Sequence, residues 1–162
     1  MRVYPLKYIS YTVLALSLIY LVSCSDNGTN PTAEKIDGFV ANKILIKNAT
    51  ISTTSGISSI FSNLIKEESS QNNFLQVFLE NIRFLSDTSG YFFCYDTIMN
   101  CIAHPVRKDY IGLNHYEDMD SKGKHFAKEM KDSLIRKGSG WVEYYWFNPH
   151  KQIDELKLAY IK

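Results

Sequence analysis

Gly90-Tyr91-Phe92-Phe93-Cys94-Tyr95-Asp96, then Cys101-Ile102-Ala103-His104-Pro105, and finally Gly140-Trp141-Val142-Glu143-Tyr144-Tyr145-Trp146-Phe147-Asn148-Pro149 are the segments whose reading decides the fold. Tyr91 to Tyr95 is apolar at every position, the pattern of a strand covered on both faces. Asp96 to Asn100 turns the chain, and Cys101 to Ala103 returns antiparallel. His104-Pro105 ends that return, because proline has no N–H to give a ladder. Trp141 to Phe147 is rich in rings, which pleated surfaces accommodate well. After the Asn148-Pro149-His150 turn, Leu156 to Ile161 alternates as a fourth strand. A polar loop, Val106 to Asp118, leads into a helix that Asp120 or Ser121 is expected to cap. Phe126, Met130 and Leu134 share one face of that helix, and Gly138 ends it.

Upstream, Ala33 to Ser86 is helical. Ile36, Phe39, Val40, Lys43, Ile44 and Lys47 give one apolar and one basic side. The Ser- and Thr-rich centre around Ser52 to Gly56 is weak helix material, so a bend is expected there. Asn72 or Asn73 is positioned to cap a second helix. Its stripe of Phe74, Leu75, Phe78, Leu79, Ile82 and Leu85 is wide enough to pack on a sheet.

The chain has 162 residues, with 18 Lys and Arg against 17 Asp and Glu and a net charge of +1. These charges are scattered, so no basic footprint for nucleic acid is present. Arg2 and Lys7 precede an apolar run from Tyr8 to Val22, which is short for a membrane span. Leu21-Val22-Ser23-Cys24 at its end resembles a bacterial lipobox, in which the Cys24 thiol is acylated and cleavage leaves it first. The division expected is therefore 1–23 as lipoprotein signal peptide, 24–33 as lipidated Cys24 plus flexible tether, and 34–162 as the folded domain. An acylated chain stays on a membrane, facing away from the cytoplasm.

Tyr91-Phe92-Phe93-x-Tyr95-Asp96, Ala103-His104-Pro105, Gly112-x-Asn114, Asp120-x-x-Gly123 and Gly140-Trp141-Val142-Glu143-Tyr144-Tyr145-Trp146 together resemble the single-Cache sensor domains. These are PAS-like, extracytoplasmic ligand-binding modules. The resemblance implies an α+β fold in which a long N-terminal helix packs on an antiparallel sheet. It implies a small organic acid bound on the sheet face under the loops. Met99 stands where the family prefers a turn glycine. The family's last strand, central in its sheet, has no counterpart after Leu156 to Ile161. The domain is thus expected to lack that strand, leaving unpaired ladder groups on the strands that would flank it. The isolated chain is then expected to be marginally stable, to self-associate or to be completed by a partner strand; the alternative is that the two edges close directly onto each other in a four-stranded sheet.

His104 beside Arg107 and Lys108, near an aromatic wall, suits a carboxylate through charge-assisted hydrogen bonds. Tyr144 and Trp146 share a strand face with Val142, and Tyr95 shares one with Tyr91 and Phe93. The expected ligand-binding set is therefore His104, Arg107, Lys108, Tyr95, Tyr144 and Trp146. If the hairpin turn centres between Thr97 and Ile98, Cys94 lies opposite Cys101. Cβ atoms so placed are about 4.5–5.5 Å apart, and a disulfide and a pair of reduced, inert thiols are then equal readings. Asp118-x-Asp120-x-Lys122-Gly123-x5-Glu129 nearly spells a calcium loop, but Lys122 sits where a ligand oxygen belongs. No metal, no cofactor and no catalytic set is expected.

The resulting expectation is a membrane-anchored sensor lipoprotein that passes its signal to a protein partner. The alternatives are a structural surface lipoprotein and a truncated receptor relic without a working ligand site.

Overall fold

The computed structural model describes the backbone of residues 14–19, 33–148 and 151–162, with side chains from residue 38 onward within those ranges. Helix α1 (Ala33–Asn63) is followed by α2 (Glu68–Glu80). The hairpin strands β2 (Tyr91–Tyr95) and β3 (Cys101–Ala103) come next, and a 3-10 turn at Lys108–Tyr110 lies in the loop beyond them. Helix α3 (Phe126–Lys137) and strands β4 (Gly140–Asn148) and β5 (Ile153–Ile161) complete the domain. An N-terminal strand, β1 (Leu14–Ile19), enters the same sheet. The strand order is β3-β2-β1-β5-β4, and all of the pairings are antiparallel.

The α+β class and the helices packed on an antiparallel sheet match the expectation. The slot expected to stand open does not. β1 lies between β2 and β5, with Leu16 opposite both Phe92 and Tyr160. Neither an open edge nor direct closure of β2 on β5 is what the fold adopts. The apolar run that also reads as a leader has the length and alternation to fill a strand slot. Cys24 and the tether lie outside the described residues.

Each sheet face has its own core. On the helix face, Phe92, Cys94, Ala103, Leu158 and Tyr160 meet Ile46, Ile57, Leu75 and Leu79. On the opposite face, Tyr91, Phe93, Tyr95, Val142, Tyr144, Trp146, Ala159 and Ile161 meet Phe126, Ala127 and Met130 of α3. Strand β4 alternates cleanly, with Val142, Tyr144, Trp146 and Asn148 buried while Glu143 and Phe147 are exposed. β2 is buried throughout, as a strand covered on both faces must be.

Several local expectations change. α1 runs through Ser52 to Gly56 as one continuous helix. Its buried stripe is Ile46, Thr50, Thr54 and Ile57, whereas Val40 and Ile44 face solvent. The basic side turns toward the sheet instead: Lys43 Nζ lies 4.8 Å from the Trp141 ring centre, and Lys47 Nζ 5.9 Å from that of Tyr160. Ammonium groups over aromatic faces are favourable, and their stems cover apolar surface. α2 begins after Glu67, whose carboxylate accepts from the Ser69 and Ser70 hydroxyls, so Asn72 and Asn73 are interior and not caps. Its stripe divides: Leu75 and Leu79 are buried, while Phe74 and Phe78 join Val77, outside the stripe, in lining an outer groove of about 410 Å³.

Neither Asp120 nor Ser121 caps α3; His125 occupies that position. Asp120 Oδ1 accepts from the Lys122 and Lys124 N–H groups, and Oδ2 from the Tyr145 N–H at 2.9 Å, tying the loop to β4. Gly138 closes α3 at φ 69°, its N–H donating to Leu134. Met99 takes the left-handed conformation (φ 71°) that a turn glycine would hold without strain, and its side chain is fully buried.

The hairpin also corrects the disulfide reading. Asp96 N–H donates to Asn100, so Tyr95 and not Cys94 lies opposite Cys101, and the register shifts between Cys94 and Tyr95. Cys94 therefore joins the helix-face core and Cys101 the other, so the two buried side chains lie on opposite sides of the sheet and do not bridge. Burial pushes the Cys101 thiol up to about 12, so it is inert at neutral pH.

Candidate ligand site

The loop-side face gathers a box of rings around the end of β3. His104 is 2% exposed, since Pro105 ends β3 there and the chain folds back over the ring. Its Nδ1 accepts from the N–H groups of Val106 (3.2 Å) and Arg107 (2.9 Å). An accepting Nδ1 leaves the ring proton on Nε2. The imidazole stacks with Phe93 at 5.6 Å and Trp146 at 5.8 Å, and Tyr91 and Tyr110 lie across its edges. Burial, then the charges of Lys157 and Arg107, lower its pKa to about 3. His104 is therefore a neutral N–H donor and not a cation.

The cation of the box is one the sequence reading passed over. Lys157 is 2% exposed on β5, and its Nζ donates to the Tyr91 hydroxyl at 2.7 Å. The same Nζ lies 4.5 Å from the Tyr91 ring centre and 5.8 Å from that of Trp146. Burial lowers its pKa to about 7, against the pull of Glu155. Glu155 is itself buried, which alone would raise its pKa, yet bonds from Asn148 and Lys151 hold it below the ordinary carboxylate value. A lysine on an inward strand position next to Ala159 and Ile161 was the available signal. In Leu156-Lys157-Leu158 the alternation puts the lysine where a strand's polar side ordinarily lies, although β5 is covered on both faces.

Of the expected residues, the structure brings together His104, Arg107 and Trp146. The Arg107 guanidinium lies 4.0 Å from the Tyr110 ring centre and 5.8 Å from that of Trp146, and it pairs with Asp109 at 2.6 Å. Asp109 is largely exposed, so this pair is weak and open to exchange for another anion. Lys108 points elsewhere and pairs with Glu80 at the end of α2. Tyr95 and Tyr144 are core rings: Tyr144 stacks on Phe126 at 4.8 Å, and Tyr95 packs against Phe93 and His115. Burial raises both hydroxyl pKa values well above the ordinary range.

His115 supports the box from behind. Its ring stacks on Tyr110 at 4.1 Å, Nε2 meets the Tyr110 carbonyl, and Nδ1 meets Asp118 at 2.7 Å. The residues of the near-calcium loop go to separate partners: Asp118 to His115, Asp120 to backbone amides, and Glu129 to Lys124. The convergence that remains is Lys157, Arg107 and the His104 N–H around the Trp146 and Tyr110 rings. Two cations and a neutral donor on an aromatic floor are chemistry for a small anion.

Comparison with known proteins gives the same architecture. A family profile described as "Cache domain" matches residues 42–162. A methyl-accepting chemotaxis protein from Vibrio parahaemolyticus superposes with a TM-score of 0.62 at 19% identity, covering 80% of this chain and 93% of that one. A Cache chemosensory domain, solved to show the structural basis of its carboxylic acid recognition, gives 0.62 at 19% identity over 82% and 98%. The periplasmic sensor domain of a chemotaxis protein gives 0.62 at 15% identity over 81% and 98%.

Proposed function

Because the chain belongs to the Cache domain family, we propose that it is an extracytoplasmic, lipid-anchored sensor lipoprotein. Its Cache unit binds a small organic acid on the loop side of the sheet. The observation that carries this reading is the buried Lys157 ammonium beside Tyr91 and Trp146, with the His104 N–H and Arg107 on the same rings. A carboxylate reaching this ammonium would gain a charge-assisted hydrogen bond in a water-poor setting. The relative that recognises carboxylic acids supports the ligand class. Lys157 and Arg107 would hold the carboxylate, His104 would donate to it, and Trp146 and Tyr110 would wall the alkyl part. Output would pass to a protein partner.

Titrating the protein with short-chain and hydroxy carboxylic acids tests the site. His104→Ala should raise the Kd of an acid that binds at least tenfold, about 1.4 kcal/mol. His104→Asn keeps an acceptor for the Val106 and Arg107 amides, so it should retain the fold while still losing affinity. Undiminished affinity in both variants would assign His104 to structure alone. Anchoring is tested separately. Cys24→Ala should abolish acyl labelling and leave the chain unprocessed, and unchanged labelling would remove the lipoprotein reading.

A further inference from the structure

Resting on the acid-binding site described above, we propose that Asp109 sets its charge selectivity, admitting monocarboxylates and turning away dicarboxylates. The Asp109 carboxylate occupies one edge of the Arg107 guanidinium. Arg107 Nε donates to Oδ1 at 2.9 Å and to Oδ2 at 3.2 Å, and Nη2 donates to Oδ2 at 2.6 Å. This is the bidentate arrangement in which a planar guanidinium holds a carboxylate best. Nη1, with the second hydrogen of Nη2, forms the other edge, the one from which a ligand carboxylate can be held.

The chain thus presents its own carboxylate to one of the two cations that a ligand would use. Asp109 and a monocarboxylate together bring two negative charges to Lys157 and Arg107, and the four groups balance. A dicarboxylate brings a third. Its second carboxylate must displace Asp109 from Arg107 or lie beside it, and in either case like charges crowd one guanidinium. The other carboxylates of this region are held elsewhere, Glu155 by Asn148 and Lys151 and Asp118 by His115.

The position of Asp109 suits a filter and not a brace. Its side chain is 63% exposed and that of Arg107 34%, whereas Lys157 is 2% exposed. An ion pair so open to water adds little to stability. The Arg107 guanidinium nevertheless lies over Tyr110 and 5.8 Å from the Trp146 ring centre, the distance at which Lys157 Nζ also lies. Arg107 is therefore the outer cation of the ring box and Lys157 the inner one, and Asp109 guards the outer.

Propionate and succinate test this, because succinate is propionate carrying a second carboxylate. Their Kd values are measured by calorimetry at neutral pH and low ionic strength, where exposed charges are least screened. The wild type should bind propionate at least tenfold more tightly than succinate. Asp109→Asn keeps an acceptor for Arg107 and removes the charge. It should tighten succinate roughly tenfold and propionate by no more than about threefold. Glu80→Gln removes an equal charge from the pair made by the neighbouring Lys108, and it should leave the ratio of the two Kd values at the wild-type figure. A ratio within one variant is insensitive to the fraction of protein folded. A ratio that Asp109→Asn leaves unchanged overturns the proposal, as does a wild type that binds both acids alike. An equal change in Glu80→Gln overturns it too, by assigning the effect to net charge and not to the partner of Arg107. Lys157→Met separates these results from failure of the site itself. If it binds propionate as the wild type does, or if the wild type binds neither acid, the site reading falls and the selectivity falls with it.

Discussion

Replacing Lys157 by methionine should weaken small-carboxylate binding by roughly a hundredfold. That corresponds to the 1.5–3 kcal/mol typical of a hydrogen bond to a buried charge. It should also erase the pH dependence of binding. The Lys157 ammonium titrates at about 7 because burial disfavours its charge. Below that pH it is already charged, and an acid binds with constant affinity. Above it, binding must first restore the proton, so wild-type affinity should fall by up to tenfold per pH unit. The groups around Lys157 do not supply this profile. His104 is held near 3, Arg107 is raised above its ordinary range, and Glu155 is held low. A pH-independent wild-type Kd between pH 7 and 9 would show that the ammonium does not meet the ligand.

The unliganded protein provides an independent control. Lys157 is depressed from an ordinary 10.5 to about 7, so between those values the unfolded chain holds more protons than the folded one. Stability therefore rises with pH across that window, with a slope of up to about 1.4 kcal/mol per unit. His104, depressed from 6.5 to about 3, gives a second rise between those values, and its contribution is lost as pH falls. Lys157→Met should flatten the upper rise and narrow the lower one, since the Lys157 charge helps hold the His104 pKa down. It should also be more stable than wild type at neutral pH, because an apolar side chain replaces a desolvated amine. Lost binding in a more stable protein cannot be ascribed to unfolding.

These residues show what the sequence displayed and what it hid. Strand content was legible because Tyr91 to Tyr95 and Trp141 to Phe147 carry period-two or fully apolar patterns that only sheets bury. The Gly138 stop was legible because local backbone geometry selects the residue type, whereas Met99 holds a left-handed turn position against its own preference. The partners of each side chain were not. Arg107 and Lys108 are neighbours in sequence, yet one lies over Tyr110 and the other pairs with Glu80 on a different element. Lys157 was hidden because a lysine in an alternating strand ordinarily faces water, and only the layers on both faces of β5 bury it. The disulfide reading failed by a single residue of register, which suffices to move Cys101 to the other face. The occupant of the central slot was hidden for a different reason. An apolar run of that composition serves equally as a leader and as a strand, and periodicity does not separate the two.

Trp146→Ala should cost about 3–5 kcal/mol of stability, the loss expected when a large buried ring is removed. The indole is the hub of the loop-side face. It stacks on His104 at 5.8 Å and meets Tyr110 at 5.5 Å, Tyr144 at 5.9 Å and Phe126 at 6.0 Å edge to face. Lys157 Nζ and Arg107 Cζ each lie 5.8 Å from its centre, so its removal also strips both cations of an aromatic neighbour. Trp146→Phe keeps an apolar ring and fills most of the space, so it should lose no more than about 1.5 kcal/mol. Affinity separates the two roles of the ring. If Trp146 walls the ligand, the phenylalanine variant should bind acids several-fold more weakly while folding normally. The reading is optical, because Trp141 and Trp146 are the chain's 2 tryptophans. In a Trp141→Phe background, ligand addition should change the emission of Trp146 with a midpoint equal to the calorimetric Kd. Denaturant midpoints at constant slope give the stability terms. A loss below about 1 kcal/mol in Trp146→Ala would place the ring at the periphery. An emission indifferent to saturating acid would move the ligand away from this face of the sheet.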